Sequence, residues 1–106
     1  MSEIVLAKFR IKPGKKKTWL NWCAQLKKRK NEVLKTLKTE GVTIEACFLS
    51  QNQKHIYYFM QAKSINRAKH VAQKSNYKID SEHKKKRKLS LKKVELLKEL
   101  FHFESK

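Results

Sequence analysis

Glycine and proline are almost missing from this chain: two glycines and one proline stand among 106 residues. Such scarcity leaves little material for linkers, so the sequence predicts near-continuous regular structure in a single domain spanning residues 1–106. Cysteine is scarce as well. Cys23 and Cys47 stand far apart, with neither a Cys-x-x-Cys pair nor a Cys/His ligand spacing. That excludes a disulfide framework or zinc module and reads as free thiols in a reducing cytosol. Long apolar runs are absent too, and none approaches the roughly 20 residues a membrane span needs. The opening "MSEIVLAKFRIK" alternates and carries charge where a signal peptide would hold an apolar stretch. The expectation is therefore a cytoplasmic protein without membrane contact. Four histidines (55, 70, 83 and 102) show no HxxxH or HxH pattern, and Asp80 is the only aspartate. No metal and no cofactor are expected.

Acids are in short supply: nine Asp and Glu stand against 27 Lys and Arg, for a net charge of +18. Basic proteins collect nucleic acid by neutralising phosphates and releasing counterions. A dedicated binder concentrates its charge, however. Residues 1–53 hold 12 cations against 4 acids and residues 54–106 hold 15 against 5, so both halves are basic. The one dense run is "KKKRK", Lys84, Lys85, Lys86, Arg87 and Lys88. It is the candidate for a nucleic-acid-associated alternative; a solvated lysine-rich surface explains it equally and is the preferred reading.

What is present is hydrophobic periodicity. "SEIVLAKFRIK" alternates, with Val5, Ala7, Phe9 and Ile11 on one face and Ile4, Leu6, Lys8 and Arg10 on the other, which predicts a strand. From Lys15 to Glu40 the period becomes helical through Trp19, Cys23, Leu26, Val33 and Leu37. This predicts one long amphipathic helix of about 39 Å, closed by Gly41. "VTIEACFLS" and "HIYYFMQA" around the polar "QNQK" predict a hairpin. Ser64 is placed to cap a helix over "SINRAKHVAQKS". A further short helix, capped by Asp80 or Ser81, is expected across the basic run. Residues 94–104 read as either helix or strand, and the topology calls for a strand. The order β-α-β-β-α-β predicts an α+β, ferredoxin-like fold with a four-stranded antiparallel sheet and helices on one face.

Helices cover only one face of such a sheet. Val5, Phe9, Ile44 and Phe48 are expected beneath them. Ile4, Leu6, Arg10, Glu45, Cys47 and Leu49, with one of the paired tyrosines, are expected on the open side. A patch that apolar marks an interface or ligand groove, so a homodimer packed sheet to sheet is expected.

The segments "FRIKPGKKKTWLNW", "KRKNEVLKTLKTEGVTIEACFL", "IYYFMQA" and "SNYKIDSEH" resemble, in order and spacing, an uncharacterised bacterial family of the dimeric α+β barrel group. That fold is shared with antibiotic-biosynthesis-type monooxygenases and stress-responsive barrel proteins. The resemblance reaches about residue 103. It implies the fold and the dimer, brings no activity, and marks Trp22, Arg29, Glu32, Glu45, Tyr58, Asp80 and His83 as positions of interest. Haem-degrading barrels combine a first-strand Asn with a Trp and a His; the first strand here carries Lys8, Arg10 and Lys12 and no Asn.

The candidate pocket residues are Arg10, Glu45, Tyr58, Trp22, Asp80 and His83. Asp80 and His83 fall on one helical turn, where a carboxylate can orient an imidazole for acid–base work; a helix cap beside a packing histidine is the plainer account. Glu45 is expected across the sheet from Lys8 or Arg10, since a buried carboxylate needs a partner, either in a structural ion pair or in a polar pocket for a small molecule. Trp19 and Trp22 read first as core. Tyr57, Tyr58 and Phe59 lack the glycine-rich surroundings of an RNA-stacking sheet.

Overall fold

The structure, a computed structural model describing residues 2–105, contains four strands and four helices in the order β1 (Glu3–Ile11), α1 (Lys16–Lys28), α2 (Lys30–Glu40), β2 (Val42–Leu49), β3 (His55–Ala62), α3 (Ile65–Gln73), α4 (Lys78–Ser90) and β4 (Leu91–Leu96). The strands form one sheet in the order β2-β3-β1-β4, and all three pairings are antiparallel. This is the ferredoxin-like α+β plan read from the periodicity.

The long helix expected over Lys15–Glu40 is two helices that break at Arg29 (φ −102°, ψ 35°). The break falls where Arg29 makes an unusual number of contacts. Its guanidinium pairs with Glu32 at 2.8 Å and with Glu82 of α4 at 2.7 Å, and lies over the Trp22 ring at 5.9 Å. The pairing therefore extends beyond the local i, i+3 bridge that spacing suggests. Gly41 ends α2 in the left-handed conformation at φ 76°, as a helix stop of this kind requires. Ser64 caps α3 by accepting from the Arg67 backbone N–H at 3.2 Å.

The basic run lies within α4, a 13-residue helix that begins at Lys78 after Tyr77, so Asp80 stands inside its first turn and neither Asp80 nor Ser81 is the expected cap. The strand that follows starts at Leu91, three residues before the expected 94. Residues 97–105 adopt no regular structure, although "LFHFE" has strand composition. β4 is committed to Ala7–Ile11 of β1 and continues only through the Leu97 N–H to the Leu6 carbonyl at 2.9 Å. Past that point Leu100 (86% exposed) and Phe103 (86%) face solvent.

The larger correction concerns β2. Its register against β3 slips between Val42 and Ile44, so that Val42 opposes Ala62 while Ile44 opposes Gln61. Thr43 is the extra residue of a β-bulge. Beyond it Glu45 opposes Met60, Cys47 opposes Tyr58 and Leu49 opposes Ile56. In β1 the opposing residues of Met60, Tyr58 and Ile56 are Val5, Ala7 and Phe9. Opposed residues share a face, so Glu45, Cys47 and Leu49 lie beneath the helices. Ile44, Ala46 and Phe48 lie on the open side, with Phe48 58% exposed. This reverses the expected facing of β2 and removes the expected pairing of Glu45 with Lys8 or Arg10.

The core between sheet and helices centres on Ala7, Phe9, Ile11, Trp19, Trp22, Ile56, Ile79 and Leu91, with a smaller cluster at Val42, Ala62 and Ala68. Trp19 and Trp22 are each 1% exposed, and an indole of that burial removes roughly 150–250 Å² from water.

Candidate functional site

Between the sheet and α2, α3 and α4 the packing leaves a cavity of about 210 Å³. Its floor is apolar: Val5, Ala7, Phe9 and Met60 from the sheet, and Leu26, Val33 and Leu37 from the helices above. Its polar groups come mainly from α4. Asp80, His83, Lys84 and Arg87 all line it, at the spacings of three, four and seven that bring residues to one side of a helix. The "KKKRK" run is thereby divided. Arg87 lines the cavity, Lys85 and Lys88 border a separate depression, and Lys84 lines both. Glu40 from the end of α2, Lys69 from α3 and Lys93 from β4 complete the charged lining.

Three side chains connect in one chain of hydrogen bonds. The Trp22 Nε1–H donates to His83 Nδ1 at 2.9 Å, so we assign the proton of the neutral imidazole to Nε2. His83 Nε2 lies 3.2 Å from the Tyr58 hydroxyl and donates to it in that tautomer. Both donors point the same way, from the core outward to Tyr58 on the cavity wall, which the Glu45 carboxyl also lines.

The electrostatics follow from burial. Desolvation, with Arg87 adding to it, lowers the His83 pKa to about 4, so the ring is neutral at pH 7. Burial, reinforced by Glu45, pushes Tyr58 well above its ordinary value and keeps it a phenol. Burial also raises Glu45, while Tyr58 and Arg87 moderate the rise. Across the cavity Glu40 is raised to about 7, first by burial and then by the negative charges of Asp80 and Glu45. A carboxyl raised to about 7, as Glu40 is, can both donate and accept a proton at physiological pH.

Of the residues singled out from sequence, Tyr58, Trp22 and His83 are brought into this one network, and Glu45 and Asp80 line the same cavity. Arg10 is not among them: it is exposed on the open face, opposite His55 and Lys92. Asp80 does not orient His83, because Trp22 and Tyr58 occupy both ring nitrogens. Asp80 instead accepts from the Ser75 hydroxyl, and Ser75 Oγ accepts from the Tyr77 backbone N–H at 3.1 Å. Glu40, Lys69, Arg87 as a cavity residue, and Lys93 were not foreseen. Arg87 was within reach of the helical spacing from Asp80 and His83; Glu40 and Lys93 carry no local signal. Among the described residues no group of three or more His, Cys, Asp or Glu is placed to hold a metal ion.

A second, wider cleft of about 540 Å³ opens on the β2 side, between α1–α2 and the sheet, and shares Leu26, Val33, Glu45, Tyr58 and His83 with the cavity. The network can thus be approached from two directions.

Fold and site together define a ferredoxin-like α+β domain with an interior polar cavity. Residues 2–100 match the model of a family of unknown function, DUF6176, and the chain belongs to that family. No curated protein matches. Among solved structures the chain is similar to the L-rhamnose mutarotase FA22100 from Formosa agariphila, at 19% identity and TM-score 0.65, over 96% of this chain and 99% of that one. It is similar also to a conserved protein from Methanosarcina mazei Go1, at 20% identity and TM-score 0.60, over 92% of this chain and 87% of the other. At such identities the likeness is one of fold. No helix of the described residues is long and apolar enough to cross a membrane.

Proposed function

We propose that this protein binds a small hydroxylated carbonyl compound, of monosaccharide size or less, in the cavity beneath α4 and moves protons on it. The observation that carries this reading is the one-directional chain Trp22–His83–Tyr58, which reaches a cavity wall that the Glu45 carboxyl also lines. The cavity is smaller than the roughly 300–1,000 Å³ of drug-sized pockets. Its apolar floor suits the C–H face of a small ring, and its carboxyls suit hydroxyl groups. Glu45 and Glu40, both raised toward neutrality, supply an acid and a base without a cofactor. Interconversion of ring anomers needs no more than that: one group protonates the ring oxygen while another takes the proton of the anomeric hydroxyl. The mutarotase likeness names the first compounds to try.

The test is saturation-transfer NMR across a panel of aldoses, with anomer exchange rates measured alongside. We expect accelerated exchange for at least one sugar, reduced about 10²–10⁴-fold in Glu45→Gln, the range for loss of a general acid–base group. Neither binding nor acceleration for any sugar would overturn the reading.

The dimer expected from the sequence stands as part of this proposal. The open face still presents Ile4, Leu6, Ala46, Phe48 and Phe59 beside the exposed Ile44, and a second copy packed sheet to sheet would cover them. This would leave the cavity, on the opposite side of the sheet, untouched. A dimer in native mass spectrometry that Phe48→Glu converts to a folded monomer supports it; a wild-type monomer does not.

A further inference from the structure

Both cysteines of the chain line the second cleft, from opposite walls: Cys23 on α1 and Cys47 on β2. Both are free. They are 24 residues apart in sequence, and the bulge at Thr43 is what places Cys47 on the helix side of the sheet, in the cleft that Cys23 also lines. Cys47 is also directly opposite Tyr58, so it adjoins the proton-carrying network. Leu20, Leu34, Phe48 and Leu49, all exposed, rim the same opening. The space between the walls is open and its sulfurs are reachable by a small molecule.

A second feature points to chemistry at this spot. The Trp19 indole N–H is buried, in a residue 1% exposed, and finds no hydrogen-bond partner among the described residues. Trp19 lines the same cleft as Cys47, and its N–H favours a negative sulfur there. A buried orphan donor costs about 1–3 kcal/mol, and a thiolate at Cys47 would take that hydrogen bond.

The two thiols are unlike. Cys23 is lowered, chiefly by its interaction with the Cys47 thiol and further by the positive charge of Lys27. Cys47 is raised by the same interaction and by burial. One sulfur is therefore the better nucleophile, and its neighbour holds the proton.

We propose that Cys23 and Cys47 form a reversible intramolecular disulfide that closes the β2-side cleft. A low-molecular-weight disulfide such as oxidised glutathione is the oxidant. The Cys23 thiolate attacks one of its sulfurs, forming a mixed disulfide and releasing one glutathione thiolate. Cys47 then gives up its proton and attacks Cys23 Sγ, releasing the second glutathione. The protein loses two thiol hydrogens, and the oxidant is reduced to two thiols. During the second step the departing Cys47 proton leaves a thiolate for the Trp19 N–H to stabilise. Because a disulfide holds its sulfurs about 2.0 Å apart, the bond draws α1 toward β2 and shuts one of the two approaches to Tyr58. Only this last consequence rests on the proposed function.

The test is to incubate the reduced full-length protein with oxidised glutathione and read intact mass and free thiols. We expect loss of both thiols and a mass lower by two hydrogens, fully restored by dithiothreitol. Cys47→Ser should stop at a single glutathione adduct on Cys23. Cys23→Ser should react far more slowly. Trp19→Phe should still form the disulfide, at a lower rate. A wild-type protein carrying two glutathiones, cross-linked between chains, or unreacted would overturn the proposal, as would equal reactivity of the two single variants. None of these readouts depends on sugar turnover, so a failed ligand panel leaves this result intact.

Discussion

The two faces of the sheet are built from the same strands yet differ in kind. Beneath the helices, Glu45, Cys47 and Tyr58 lie among apolar neighbours, and the low dielectric there shifts their pKa values. On the open side, Lys8, Arg10 and Tyr57 are set among Ile4, Leu6, Ile44 and Phe48 with no resolved interior network; Lys8 rests over the Tyr57 ring at 5.9 Å. Adjacent tyrosines, 57 and 58, thus have opposite surroundings. Chemistry gathers where water is excluded, because there a carboxyl shares its proton with neighbours instead of solvent. The open face has the residue types of a site without the seclusion of one, and its apolar content suits an interface.

Three comparisons press on that contrast. The largest difference is expected from truncation. Trp22→Ala should cost about 3–5 kcal/mol, because it leaves a cavity and strips His83 of its donor. Phe48→Ala should change the stability of the folded monomer by about 0.5 kcal/mol or less. Urea titrations of both variants decide it, and equal losses would erase the distinction between the faces.

The tyrosine pair gives a finer comparison. Tyr58→Phe leaves the buried His83 Nε2–H without its partner and should cost about 1–3 kcal/mol. Tyr57→Phe should lie within about 0.5 kcal/mol of wild type. The expected order is Tyr58 well above Tyr57 by the same titration.

The smallest effect is in pH dependence, and it involves two opposed groups. His83 has its pKa lowered to about 4. Between that value and its ordinary 6.5 the unfolded chain binds the proton and the native one does not. Stability from His83 is thus present above 6.5 and is lost as pH falls to about 4. Glu40, raised to about 7, does the reverse. From its ordinary 4.5 to about 7 the native state holds the proton longer, so its contribution falls as pH rises. The windows overlap between 4.5 and 6.5, where the two slopes oppose each other. Glu40→Gln should make the slope of stability against pH more positive than in wild type across this window, and His83→Asn more negative. Unfolding midpoints from pH 4.5 to 7 read both. Identical slopes in the two variants would remove either group from the cavity's proton balance.

Much of the fold was legible in the sequence because periodicity is local. Val5, Ala7, Phe9 and Ile11 announce their face two residues at a time, and Trp19, Cys23, Leu26 and Val33 announce theirs in steps of three and four. The candidate site was legible to the extent that helical spacing carried it: Asp80 and His83 could be grouped, and Tyr58 and Glu45 noticed. Which face Glu45 occupies could not be read. Alternation in β2 is sound, but it is ambiguous between two registers, and Ile44, Ala46 and Phe48 make the more hydrophobic half. The deciding feature is a pairing slip at Thr43, a residue of ordinary β propensity whose bulge depends on β3. The break at Arg29 is hidden for a similar reason: its cause includes Glu82, more than fifty residues away. Asp80 as the orienting group for His83 was a reading from nearness in sequence, and Trp22 and Tyr58, from other elements, hold that place.

The bulge at Thr43 behaves as a parity setting for the whole edge strand. Each later side chain of β2 is sent up or down according to whether the count before it is odd or even. Removing one residue there alters no charge and deletes no catalytic group, yet it would exchange Glu45, Cys47 and Leu49 with Ile44, Ala46 and Phe48. The acid would pass to the outside, the cavity would turn greasy, and the two cysteines would part. For a lineage carrying this fold, an insertion or loss of one residue at the start of β2 is a single-step route between a chain with polar chemistry inside and one with only a hydrophobic core.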